Sequence, residues 1–340
     1  MKLFKNIGFA LAALSCVQYA AAQQQASAST KLNAYVAIPG AGVGLQELVR
    51  SDGNGTFFYE QKGTGQLMQA KASACKMFYI QTPAEMANAL RLYYDGDSAG
   101  ARKAFASVKK KYADFAGLPG SPCTLAALYE LTCAVRALDV AAVKSLSASL
   151  PGESALNAVE LARLDAARVV GMITDQPDSK APIEEAAKAA KTKHSRNMDS
   201  EGSGWLCYAK GRAYAAQVPA EQLQGTIAED KLKDASEAID FYCQAVMSMH
   251  GSHKELPADA LNRALTLLWA MPGVKEYAGK VSAPLEKKQW NDAPRDFREA
   301  VTMAHYIKTL YPDAGGAANP LVDKADAYYF NAKKGTKKGE

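Results

Sequence analysis

A change of hydrophobic period at Pro83 divides this chain. Before it, short apolar stretches alternate with turns rich in Gly and Asn. After it, apolar residues recur at three- and four-residue steps, the spacing that places them on one face of a helix. Thr82 and Pro83 read as a cap and a first-turn proline. Met86, Ala89, Leu90 and Tyr93 then share a face, and Asp95-Gly96-Asp97 ends the helix. A second helix follows with Ala101, Phe105 and Val108 on one face. Lys109, Lys110 and Lys111 lie in its last turn, where the helix dipole favours positive charge.

The rhythm continues to the C terminus. Residues 124–137 and 140–150 read as a second pair, with Ala127, Leu128, Leu131 and Val135 as its apolar face. Residues 152–173 read as one long helix. Residues 175–204 are polar and rich in breakers, and read as a long loop holding a short helix at 184–193. Residues 205–217 and 230–249 form another pair, separated by an insertion at 218–229. Helices at 256–271, 294–310 and 320–331 follow, bounded by Pro272-Gly273, Pro312 and the capping Asn319.

Ala89, Leu92, Gly96, Ala101 and Phe105 carry a resemblance to the tetratricopeptide repeat. That family has a small residue in its first helix, a bulky one three later, Gly at the turn, Ala early in the second helix and an aromatic four after it. All these spacings are kept over about 30 residues. At the end of the unit, where the family often has Pro, this chain has Ala113. The resemblance implies a mostly α fold, a tetratricopeptide-like α-solenoid of helix hairpins spanning residues 82–332. It also implies that the first helix of each pair lines a concave binding surface, which nominates Met86, Leu90, Tyr93 and Tyr94.

Ahead of the helices, residues 31–81 read as a small antiparallel β-meander with strands at 46–50, 56–60, 66–70 and 75–80. Asp52-Gly53-Asn54-Gly55 and Gly63-Thr64-Gly65 are its turns. One stretch here imitates an enzyme. AYVAIPGAGVG places an apolar run before Gly40, Gly42 and Gly44, and Glu60 lies twenty residues after Gly40, as in a dinucleotide-binding fingerprint. The geometry fails. Seven residues separate Gly44 from Asp52, whereas a crossover to a parallel strand takes a dozen or more. Leu45 also occupies the third glycine position. The glycines therefore read as a flexible lead into the meander, and no cofactor is expected.

Residues 1–22 have Lys2 and Lys5, an apolar core and Ala20-Ala21-Ala22, the pattern of a cleaved secretory signal peptide. Cys16 sits in a poor lipobox, with Ala13 where Leu is preferred. Export to the periplasm or the outer cell surface follows, with no transmembrane segment after cleavage. Losing Lys2 and Lys5 from 40 basic residues leaves 38 against 35 acidic ones. The surplus of three is matched by the basic tail at 333–340, so the body is neutral and gives no argument for nucleic acid. Of the remaining cysteines, Cys123 and Cys133 lie ~15 Å apart if they share one helix, beyond disulfide reach. Cys207 and Cys243 could pair across a hairpin.

Catalytic signals are weak. The histidines are His194, His250, His253 and His305. His250, His253 and Glu255 could offer metal ligands from one loop, but the spacing fits a polar connection as well. No Ser or Cys nucleophile motif accompanies any of them. Asp95 with Asp97, and Glu184 with Glu185, read as caps or surface. Trp290, beside Asn291, Asp292 and Arg295, is placed to stack a sugar or hold a peptide. The expectation is a non-catalytic scaffold or adaptor that binds a protein partner in an envelope transport or secretion complex. A glycan- or glycoprotein-binding protein is the first alternative, and an enzyme with a non-local site the second.

Overall fold

The computed structural model describes residues 30–38, 42–61, 63–249, 251, 253–313 and 319–330. The expected signal segment with Cys16, the basic tail, Gly40 and His250 lie outside these residues. What is described is mostly helical, with a small N-terminal antiparallel sheet.

The sheet comprises β1 (Leu32–Ile38), β2 (Gly42–Ser51), β3 (Thr56–Glu60), β4 (Leu67–Lys71) and β5 (Met77–Ile80). Their spatial order is β4-β3-β2-β1-β5, so the expected meander needs correcting. The run AYVAI lies within β1, between two other strands, and Gly42 and Gly44, expected as a flexible lead, belong to β2. Leu32, Ala34 and Val36 alternate inward while Asn33 and Tyr35 face out. β5 returns to β1 rather than to β4, pairing Tyr35 with Tyr79 and Val36 with Phe78. β1 and β2 form an antiparallel hairpin from Leu32↔Leu48 to Ile38↔Gly42. Gly44 therefore sits within a strand ladder, opposite Val36, which removes the geometry of a dinucleotide fingerprint.

The turn after β2 forms as its residues suggest. Gly53 and Gly55 take left-handed φ values of 78° and 86°. One Asp52 carboxylate oxygen accepts from the backbone N–H groups of Asn54 and Thr56. The same turn ties the sheet to the helices. Ser51 donates its hydroxyl to the Ala116 carbonyl at 2.8 Å. A β-carbon on Gly117 would lie 2.0 Å from the Gly53 carbonyl oxygen, so only glycine permits this approach.

Helices α1 (Ala84–Tyr94) and α2 (Ser98–Lys111) follow the predicted face closely. Pro83 is itself the capping residue of α1 rather than its first turn. Asp97 caps α2 by accepting from Gly100 N–H. Ala89, Ala101 and Phe105 are fully buried, and they join Leu48, Phe57 and Ile80 of the sheet in one core. Helix α3 (Pro122–Arg136) is buried on nearly every side. Cys123, Ala126 and Cys133 belong to this first core; Leu128, Leu131 and Val135 belong to a second, larger one.

The second core takes in α4 (Val140–Ala148), α5 (Ala158–Val170), α6 (Lys180–Lys193), α7 (Ser200–Ala215) and α9 (Leu232–Met249), with the short α8 (Ala220–Gln224) in the expected insertion. It continues through α10 (Glu255–Ala270), α11 (Val274–Ala278), α12 (Lys287–Asp292), α13 (Arg295–Leu310) and α14 (Pro320–Asp326). The long helices pack mainly on their neighbours in sequence, and α1, α3, α5 and α7 also pack in succession.

The largest departure from expectation lies at 175–204, which is not a loop. Helix α6 begins at Lys180, and α7 begins at Ser200, capped by Asp199. Gly202, Gly204 and Gly211 look like breakers but lie inside α7. A β-carbon on Gly211 would meet the Tyr242 ring at 2.7 Å, so this glycine lets α7 and α9 approach closely. The predicted long helix at 152–173 is also shorter. A single 3-10 turn at Glu153–Ala155 precedes α5, whose start is fixed by a capping box between Asn157 and Glu160. Among the described residues no helix is long and apolar enough to cross a membrane.

Candidate functional site

The inner ends of α1, α3, α5 and α7 bring together an unusual set of polar side chains. Arg136, in the last turn of α3, donates from Nε to one Glu201 oxygen at 2.8 Å and from a terminal nitrogen to the other at 3.2 Å. Their side chains are 8% and 10% exposed. Such a pair survives burial only because its geometry is bidentate. The Tyr93 ring at the end of α1 lies 4.1 Å from the same guanidinium, adding a cation–π contact. Tyr129 of α3 meets Tyr93 edge-on at 5.1 Å. Arg163 of α5 pairs with Asp199, the cap of α7. Burial, and then the Glu201 charge, push the Tyr93 hydroxyl far above its ordinary value.

His253 closes this cluster from the α9–α10 connection. Its side chain is 4% exposed, and Nε2 lies 3.6 Å from Glu201 Oε1, too long for a hydrogen bond. Both ring nitrogens are shielded from solvent and have no hydrogen-bond partner among the described residues. Burial, then the Arg136 charge, push its pKa down to about 4, against a smaller opposing effect of Glu255. The ring is therefore neutral at pH 7.

Above the cluster opens a cleft of about 490 Å³, within the size range of pockets for small ligands and peptide ends. Tyr94, Ser98, Arg136, His253, Lys254 and Glu255 line it, with Leu310 and Tyr311 from the end of α13 and the residues after it. Tyr94 is 73% exposed. Lys254 and Glu255 have no ion-pair partner among the described residues, whereas Arg136 is held by Glu201 and Asp95 by Arg91.

The four residues nominated on the first helix separate. Met86 and Tyr93 are buried in the first core, so neither presents a surface to a partner, and Leu90 packs against that core. Tyr94 alone reaches the cleft. Trp290 is half-buried, packed against the second core and edge-on to Tyr329 at 5.9 Å. Asn291 and Asp292 are exposed at the end of α12. Arg295 pairs with Glu299 and lines a different cavity, an apolar groove with Met247, Met303 and Tyr306. The structure thus brings Tyr94 to the buried ion pair and leaves the Trp290 set elsewhere.

The remaining candidates have structural partners. Asp97 is a helix cap. His194 contacts Asp165, and His305 stacks on Tyr329 while contacting Asp326. Among the described residues no three His, Cys, Asp or Glu are grouped to hold a metal ion, and His250, the third residue of the candidate set with His253 and Glu255, lies outside them. Cys207 and Cys243 are free thiols opening onto different cavities. Sequence reasoning missed Arg136, Glu201 and Lys254. The available signal was Arg136 itself, a charge among apolar neighbours in a helix otherwise built for a core. Family models, curated proteins and solved structures, compared with this chain, gave no match.

Proposed function

We propose that this chain is a non-catalytic exported adaptor that holds a segment of a partner polypeptide in the Tyr94 cleft. In this reading the helices are degenerate tetratricopeptide-like hairpins, with α1, α3, α5 and α7 lining the inner surface. The resemblance implies service in an envelope transport or secretion assembly, in the periplasm or on the outer cell surface. The observation that carries the reading is an exposed tyrosine lining a 490 Å³ cleft together with Arg136, which a buried bidentate ion pair holds in place. Exposed aromatics beside fixed polar groups are the usual anchors of a polypeptide interface.

Tyr94→Ala tests this directly. Tyr94 is mostly exposed, so its removal leaves the melting temperature close to wild type while crosslinked capture of envelope partners falls at least tenfold. Unchanged capture by a folded variant overturns the reading.

A further inference from the structure

The charge balance of the cleft narrows the ligand, on the reading that the cleft is a binding site. Two of its four charged residues are already committed, Arg136 to Glu201 and Asp95 to Arg91. Lys254 and Glu255, adjacent in sequence and opposite in sign, face the cleft without a partner among the described residues. An ammonium beside a carboxylate, over an aromatic and aliphatic wall of Tyr94, Leu310 and Tyr311, complements a group carrying one negative end, one N–H donor and one apolar side chain. We propose that the cleft recognises a free α-carboxylate at the end of a short peptide. Lys254 takes the carboxylate, Glu255 accepts from the nitrogen of the same residue, and its side chain lies against Tyr94 and Leu310. The same chemistry is available from the C terminus of a protein partner or from a free amino acid.

The floor suits this ligand. Arg136 is held on three sides, by two hydrogen bonds and the Tyr93 ring, so it neither competes for Glu255 nor swings away. A chain-end carboxylate brings one negative charge into the cleft, and Lys254 is the lining cation not already held in an ion pair among the described residues, so it is placed to compensate that charge.

The test uses the full chain and two tripeptide libraries, one with free carboxyl ends and one amidated, with retained peptides read by mass spectrometry. Sequences retained are then measured by calorimetry as free acid, as amide, and as the isolated last amino acid. The free acid binds about tenfold or more tightly than the amide, the size of one charge-assisted hydrogen bond, and exposed Lys254→Met abolishes that difference. An isolated amino acid that matches the peptide identifies a small-molecule source; affinity that rises with length identifies a partner's chain end. No retained peptide, equal retention of acid and amide, or a Lys254→Met variant that keeps the preference overturns the proposal. These results are separable from the adaptor reading. A partner held by an internal segment is lost with Tyr94→Ala yet shows no preference for a free carboxylate.

Discussion

Acidification should unfold this protein partly through one imidazole. His253 carries a pKa of about 4 in the folded chain against 6.5 for the free side chain, because burial and the Arg136 charge both oppose its protonation. A base with a depressed folded pKa contributes no penalty above its unfolded value. As pH falls below 6.5 the unfolded chain binds a proton that the folded chain refuses, and stability is lost until pH 4. At 1.36 kcal/mol per pH unit the loss is about 2 kcal/mol at pH 5 and about 3 kcal/mol at pH 4. The groups facing the ring are Arg136, Glu201 and Glu255. Urea unfolding at pH 7.5, 6, 5 and 4 measures the loss, and His253→Gln isolates it, since glutamine fills similar space and does not titrate. The wild type should lose about 3 kcal/mol more than the variant between pH 7.5 and 4. Proton NMR identifies the His253 signal as the one missing from the variant, and its midpoint should lie near 4. Parallel pH dependence of the two proteins, or a His253 midpoint near 6.5, would refute the reasoning.

The other predictions concern the packing that makes the cleft. Arg136→Met leaves Glu201 buried and uncompensated and should cost about 3–5 kcal/mol by denaturant unfolding, whereas the double change Arg136→Met with Glu201→Leu should recover most of that loss. Equal cost for the single and double variants would mean that the two charges do not depend on each other. Gly211→Ala places a methyl 2.7 Å from the Tyr242 ring and should destabilise the α7–α9 pair by roughly 1–3 kcal/mol, seen as a lower thermal midpoint. A neutral or stabilising effect would show that the two helices can separate without loss.

Most helices were legible because their determinants are local. Asp97, the positive-φ Gly96 and the three-four spacing of Met86, Ala89 and Tyr93 are written within one or two turns. The sheet was less legible because its pairing is not local. Tyr79 of β5 lies 44 residues after Tyr35 of β1, and no spacing rule says that Tyr79 will pair with Tyr35 instead of with a residue of β4. The site was least legible, and the reason lies in α7. Gly202 and Gly204 lower helix propensity, so residues 200–204, Glu201 among them, read as the end of a loop. The absent side chains that weaken the helical signal are also what allow α7 to lie so close to α9 at Tyr242. Asp199 supplies a local cap, but only tertiary packing stabilises a helix with three glycines. Once that packing is in place, Glu201 in its first turn is drawn in beside α3, where Arg136 is the charge that can meet it. The expected helix at 205–217 holds most of α7, and a sequence rule that penalises glycine conceals the residues before it, 200–204, which carry Glu201 into the ion pair.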